Sequence, residues 1–212
     1  MRFINIKIVQ QAIPVLALIV SGACAAQNVS ISDQKTTYPV DINPKPAVVS
    51  QCTGCHGPQG ISQFPDWPNL AGLSDEYIKD ELQKFKNGQR SNAMMQIVAQ
   101  DISEQEMIQA AVYFSKQDVA VNVPKELIRP KALKTCITCH GDSVEKSSGL
   151  GPNLAGQKES YLLKQMQDFK SRKRNNEIMA NIIKNVSPEN IRELARYYSH
   201  LNIHVNSKTG VQ

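Results

Sequence analysis

The chain has 212 residues, enough for two small domains. Its formal charge of +5 is unevenly spread: residues 27–124 carry a net −4 and residues 125–212 a net +7. That split predicts an electrically dipolar molecule. No stretch beyond residue 26 is apolar for the about 20 residues a membrane-spanning helix needs.

In chain order, residues 1–26 read as a secretory signal. Arg2 and Lys7 give a basic start, Ile13 to Val20 a short apolar run, and Ala23-Cys24-Ala25 or Cys24-Ala25-Ala26 a small-residue cleavage site. The expected address is the bacterial periplasm. Cys24, the odd one of five cysteines, is discarded if cleavage follows it. Ser21-Gly22-Ala23-Cys24 also resembles a lipoprotein box, so a lipid anchor and membrane association stay open. Residues 27–45 are polar and read as a flexible lead-in.

A short helix is expected over Ala47 to His56, ending in Cys52-Thr53-Gly54-Cys55-His56. The pattern returns as Cys136-Ile137-Thr138-Cys139-His140. C-x-x-C-H is the attachment signature of a c-type haem. Two thiols one helical turn apart can each form a thioether to a vinyl group, and the next residue lies under the iron as its proximal ligand. A pooled zinc site and a thioredoxin-like redox pair are the competing readings. Against them stand the 84-residue separation of the motifs, the absence of a strand-rich context and the His after each second cysteine. Two covalently bound haem c groups are therefore expected, through Cys52, Cys55, Cys136 and Cys139, with His56 and His140 as axial ligands.

The offset of 84 persists beyond the cysteines. Pro68-Asn69-Leu70-Ala71-Gly72 maps onto Pro152-Asn153-Leu154-Ala155-Gly156, Tyr77 onto Tyr161, Phe85 onto Phe169 and Arg90 onto Arg174. Met95 maps onto Met179, Ser103 onto Ser187 and Tyr113 onto Tyr197. This is an internal duplication. Of the six methionines, Met95 and Met179 are the pair kept in register, which nominates them as the second axial ligands. Met94 is the rival for the first haem, whereas Ile178 in the matching position cannot ligate. Met107 and Met166 sit at core positions.

In each half, helices are expected to flank the motif. Ser74 can cap one whose apolar face is Tyr77, Ile78, Leu82 and Phe85, with Gly88 as a stop. A loop through Arg90 and Asn92 then delivers Met95. Ser103 and Glu106 form a capping-box pair ahead of Met107, Ala110, Ala111 and Phe114 at i, i+3, i+4 and i+7. Residues 119–129 read as a linker. In the second half Ser187 caps the last helix, with Pro188 at its first position. The run Lys170, Arg172, Lys173 and Arg174 reads as a solvated helix end and loop. The tail after His200 reads as frayed, with His200 and His204 exposed.

These motifs resemble the cytochrome c4 family over about residues 45–202. The resemblance implies an all-α fold of two tandem class I cytochrome c domains related by internal duplication. The boundaries would be 1–26 for the signal, 27–118 for the first domain, 119–129 for the linker and 130–212 for the second domain. It also implies a pseudo-twofold axis with haem propionates facing each other, and Pro68 and Pro152 carbonyls that orient the histidines. The expected role is electron transfer in a respiratory chain. The donor would be a membrane complex such as a quinol-oxidising one, and the acceptor a terminal oxidase. No nucleic acid and no small-molecule substrate are expected. The alternatives are a dihaem enzyme, either a peroxidase or a sulfur-compound dehydrogenase, or a haem subunit of a membrane complex. The first half departs from the second in Gln63-Phe64-Pro65-Asp66-Trp67, against Ser147-Ser148-Gly149-Leu150-Gly151; Trp67 is expected to pack against haem or the other domain.

Overall fold

The computed structural model describes residues 40–141 and 150–206, all within one packed unit. The expected signal, its Cys24, and part of the second half's loop lie outside the described residues. Among those residues no helix is long and apolar enough to cross a membrane.

Among the described residues each half has four helices. The first half contains α1 (Val49–His56), α2 (Asp75–Lys86), α3 (Ala93–Asp101) and α4 (Glu104–Ser115). After a strand β1 (Val119–Asn122), the second half contains α5 (Leu133–His140), α6 (Glu159–Lys170), α7 (Glu177–Ile183) and α8 (Pro188–Ser199), and ends in β2 (Asn202–Val205). The haem-motif helices are short because a left-handed glycine follows each histidine: Gly57 has φ +83°, and a Cβ there would fall 2.0 Å from the Ile61 carbonyl oxygen. Only glycine lets the chain double back at that point.

α2 begins as expected, the Ser74 side chain accepting from Tyr77 N at 3.2 Å. α4 begins with the full capping box: Ser103 accepts from Glu106 N while the Glu106 carboxylate accepts from Ser103 N. Met107, Ala110, Ala111 and Phe114 are all buried, and α4 packs on α2 and α1 to form the first core. Ile191, Leu194, Ala195 and Tyr198 of α8 are buried in the same way, α8 packing on α6.

Three local expectations need correcting. Met95 is not delivered by a loop: Asn92 caps α3, its side chain accepting from Met95 N at 3.0 Å, and Met95 sits in the first helical turn. The segment read as a linker contains β1, and the tail read as frayed contains β2. The two strands pair antiparallel, with Val119 opposite Val205 and Val121 opposite Ile203. Because 119 and 203 are themselves repeat partners, the ladder is symmetric about the Ala120–His204 pair. Third, Arg174 is not solvated; it is buried between the two halves.

Besides the β1–β2 ladder, the halves meet through side chains on and beside α2 and α6. Asn69 N donates to Gln157 Oε1 at 2.8 Å, Asn69 Nδ2 to the Gly156 carbonyl at 2.9 Å, and Gln157 Nε2 back to the Asn69 carbonyl at 3.0 Å. The Ser160 hydroxyl donates to the Pro65 carbonyl, tying the first half's Trp67 loop to α6.

Candidate haem sites

The last turn of α1 presents Cys52, Cys55 and His56 to a cavity of about 400 Å³, in the range of about 300–1,000 Å³ typical of cofactor clefts. Its apolar wall includes Leu70, Leu73, Ile78, Leu82 and Phe85; Met94 and Met95 both line it from α3, and Trp67 from the loop. Trp67 also packs on Phe64, ring centres 4.8 Å apart. The sequence-predicted set of thiols, imidazole and thioether thus converges on one apolar concavity.

The His56 ring is fixed from behind. Its Nδ1 lies 2.7 Å from the Pro68 carbonyl oxygen, which can only accept, so Nδ1 carries the proton and Nε2 keeps its lone pair. His140 repeats this with Pro152 at 2.8 Å. Burial lowers the pKa of both imidazoles, against the smaller upward pull of the proline carbonyls. Each ring therefore favours the neutral form that a metal ligand requires.

Burial, then the neighbouring Cys55, push the Cys52 thiol up to about 11; burial and Cys139 do the same at Cys136. No disulfide joins the four motif cysteines. Cys52 Sγ donates to the Val48 carbonyl at 3.6 Å, within its own helix. Among the described residues no three His, Cys, Asp or Glu side chains are grouped to hold a metal ion, so the two motifs do not pool into one zinc-type site.

Met95 is partly buried and packs on the first core, whereas Met94 is 61% exposed. The second half matches: Asn176 caps α7 by accepting from Met179 N at 2.9 Å, Met179 packs with Phe169, Ile183 and Ile191, and Ile178 is 70% exposed. The residue pair that the repeat keeps is thus the more buried pair, and Met94 also borders the first cavity. Residues 142–149, which correspond to 58–65 of the first half, lie outside the described residues. Of the tail histidines, His200 donates through Nδ1 to the Arg196 carbonyl at 2.8 Å, and His204 lies in β2 opposite Ala120.

One set of residues escaped the sequence reading. Arg90 and Arg174 each stack over the Phe of their own half, Phe85 and Phe169, 4.5 Å from the ring centre in both cases. Each also reaches across the seam: Arg90 Nη2 donates to Tyr161 OH at 2.9 Å, and Arg174 Nη2 to Tyr77 OH at 3.0 Å. The signal was present, since Arg90/Arg174 and Tyr77/Tyr161 are repeat pairs. A basic run simply resembles surface.

Comparison with known proteins agrees with this geometry. Residues 43–114 match the family model described as cytochrome C oxidase, cbb3-type, subunit III, and residues 131–201 match cytochrome c. A solved structure of Acidithiobacillus ferrooxidans cytochrome c4 superposes with a TM-score of 0.57 at 27% identity, covering 72% of this chain and 99% of that one. Cytochrome c4 of Pseudomonas aeruginosa is 29% identical over 73% of this chain and 86% of its own length. The chain belongs to the cytochrome c4 family. Within that family of dihaem proteins, the two C-x-x-C-H motifs mark two covalently bound haem c groups, and the fold is two tandem cytochrome c domains. Cytochrome c-554(548) of Halomonas halodenitrificans is 33% identical over 33% of this chain and 88% of its own length, matching one half alone. A protein of Stutzerimonas stutzeri named thiosulfate dehydrogenase electron acceptor is 27% identical over 71% of this chain and 78% of its own. As a cytochrome c4-like dihaem protein, the chain is an electron carrier.

Proposed function

We propose that this carrier serves a periplasmic respiratory chain, moving single electrons between partner proteins, with His56 and Met95 ligating the first iron and His140 and Met179 the second. When bound, each haem c supplies a one-electron couple at its iron. The observation that carries the reading is the doubled geometry: a carbonyl-fixed imidazole in each half, and an inward thioether placed by an Asn cap. The Pro68 and Pro152 carbonyls hold the imidazoles in the tautomer whose Nε2 is free to ligate. Met95 and Met179, as second ligands, close each iron to oxygen, peroxide and other small molecules, which makes the chain a carrier and not an enzyme. The domains extend over 27–118 and 130–212, with 119–129 between them.

For partners, we favour a membrane donor such as a quinol-oxidising complex and a terminal oxidase as acceptor. The Stutzerimonas relative's name supports a second reading of the donor, a dehydrogenase of a small sulfur compound. Kinetics of reduction by the two purified donor classes separate these readings.

The ligand assignment is tested by the optical spectrum of the ferric protein. Two equivalents of the weak methionine-sulfur-to-iron band are expected, with no carbon monoxide binding after reduction. Met95→Ala should remove one equivalent and Met94→Ala neither. If Met94→Ala removes the band, the first ligand is Met94; if the native protein lacks a band or binds carbon monoxide, the enzyme reading replaces this one.

A further inference from the structure

The duplication gives the molecule two equivalent outer faces, one in each half, and both are apolar at the centre. In the first half α3 leaves Met94 and Ile97 exposed, and Phe64 lies exposed on Trp67, whose ring lines the same cavity as Met94. Met94, Ile97 and Asp101 fall at i, i+3 and i+7, so they share one stripe of the helix. In the second half Ile178 is exposed on α7 at the position of Met94, and Leu150 is exposed at the position of Asp66. Among the described residues the other large apolar side chains left exposed, Val123 and Ile128, lie between the halves.

The rims of these faces carry opposite charge. Asp66 and Asp101 are exposed on the first face, where the second half has the neutral Leu150 and Asn185. Lys173 and Lys184 are exposed just before α7 and at its end, where the first half has the neutral Gln89 and Gln100. None of these four charges is held in an ion pair among the described residues. Glu177 is paired with Arg172 at 2.7 Å and so adds no net charge to the second face. At four repeat positions, then, the first face is acidic or neutral and the second neutral or basic. The split of −4 against +7 between the halves has the same sense.

We propose that these faces are the two sides of one contact between copies of this chain. The α3 face of one molecule docks on the α7 face of the next, apolar centre on apolar centre, with Asp66 and Asp101 opposite Lys173 and Lys184. Pairing two like faces would set carboxylate against carboxylate or ammonium against ammonium, so the contact runs head to tail and is not isologous. Such a contact leaves one face free at each end and adds copies in a row. A small apolar centre with exposed charges around it makes a weak, salt-sensitive interface. The contact sets the first haem's side of one molecule against the second haem's side of its neighbour, a consequence for electron exchange that rests on the carrier reading.

Sedimentation velocity of the full holoprotein reads the association without a redox step, so its failure leaves the carrier reading standing. At low ionic strength the sedimentation coefficient should rise with protein concentration up to about 0.5 mM. It should return to the monomer value in about 1 M salt, where the Debye length is about 3 Å. Asp66→Lys/Asp101→Lys makes both faces basic, and Lys173→Glu/Lys184→Glu makes both acidic. Each double variant alone should associate roughly tenfold more weakly than the native chain. An equimolar mixture of the two should recover the association, and the fourfold variant, whose rims are exchanged, should associate as the native chain does. Ile97→Asn, which installs the second half's residue, should weaken the contact with no change of charge. The four charged side chains are exposed, and a haem count of two per chain checks that each variant is intact. The proposal is overturned if the native protein stays monomeric to about 0.5 mM at low salt, which would leave these faces to other proteins. It is equally overturned if either double variant associates like the native chain, since the contact would then use one face alone, or if the mixture stays monomeric.

Discussion

The two halves of this cytochrome solve one problem twice, and the places where the solutions differ separate requirement from adjustment. What is the same in both is geometric: the thiol spacing, the carbonyl behind each histidine, the Asn cap under each inward methionine, and the Arg–Phe stack at the seam. What differs is charge and local backbone quality. Glu81 faces Gln165 at the seam. Ser74 caps α2 where Lys158 leaves α6 without a side-chain cap. Gly88 occupies a left-handed position that Arg172 fills in the second half. The comparison implies that each half supplies its own thiols, imidazole and thioether, while helix ends can be edited separately.

The strongest way to break that comparison is to remove one haem. Cys52→Ala/Cys55→Ala should give a protein with half the haem content by mass and absorbance, with α1 and the walls of the first cavity destabilised. Cys136→Ala/Cys139→Ala should do the converse. If either pair abolishes both haems, the halves are not independent holders and the duplicated sites mature as one unit.

The seam should yield the next largest effect. Burial pushes the Glu81 carboxyl upward, but Arg174, Arg90 and Lys84 outweigh it and hold the group below the ordinary carboxylate range. A carboxylate whose folded pKa is depressed stabilises the fold above its unfolded pKa, and that stability is lost as pH falls through the folded value. Both Glu81 and Arg90 side chains are only 10% exposed, so breaking their pair leaves buried guanidinium charge and should cost about 3 kcal/mol at neutral pH. Denaturant titrations of the native protein and Glu81→Gln should therefore diverge at neutral pH and converge in acid. Curves that stay parallel would mean the seam's stability does not depend on this carboxylate.

Much of this architecture was legible because the chain repeats itself. An offset that keeps Met95 with Met179 but pairs Met94 with Ile178 separates the more buried from the more exposed side chain in each half. The capping serines and the buried stripe of α4 follow from local chemistry. The strands were not legible: Val119–Asn122 and Asn202–Val205 are four residues each, and the partner that makes each a strand lies 80 to 86 residues away. α3 was missed because its start is marked only by Asn92, two residues before a pair of methionines read as ligand candidates. Arg174 was misread because a guanidinium within a basic run reads as solvated until the opposite half supplies Glu81 and Tyr77. For the strands and for Arg174 the deciding partner is distant in sequence.

Helix ends offer smaller tests. Lys158 stands where the first half has its capping Ser74, and burial lowers its pKa. Lys158→Ser should let a hydroxyl accept from Tyr161 N as Ser74 accepts from Tyr77 N, a gain of about 1 kcal/mol. A higher denaturation midpoint with unchanged slope is the expected result. No gain would mean the Lys158 stem contributes packing that offsets the missing cap.

The smallest effect lies one turn beyond α6. Arg172 has φ +57°, a left-handed backbone that costs an L-residue roughly 1–2 kcal/mol and that Gly88 adopts freely in the first half. Its compensation is an ion pair, Arg172 Nη1 to Glu177 Oε1 at 2.7 Å, with the two side chains 60% and 68% exposed. A pair so exposed is worth about 0–1 kcal/mol and fades with salt. The backbone term therefore wins, less the entropy that a glycine adds to the unfolded chain. Arg172→Gly should stabilise the second half by about 0.5 kcal/mol at low salt and somewhat more at high salt, where the native ion pair is screened. A loss of stability that grows at low salt would reverse the ranking of the two terms. It would make the Arg172–Glu177 pair the reason the second half gave up the glycine its twin retains.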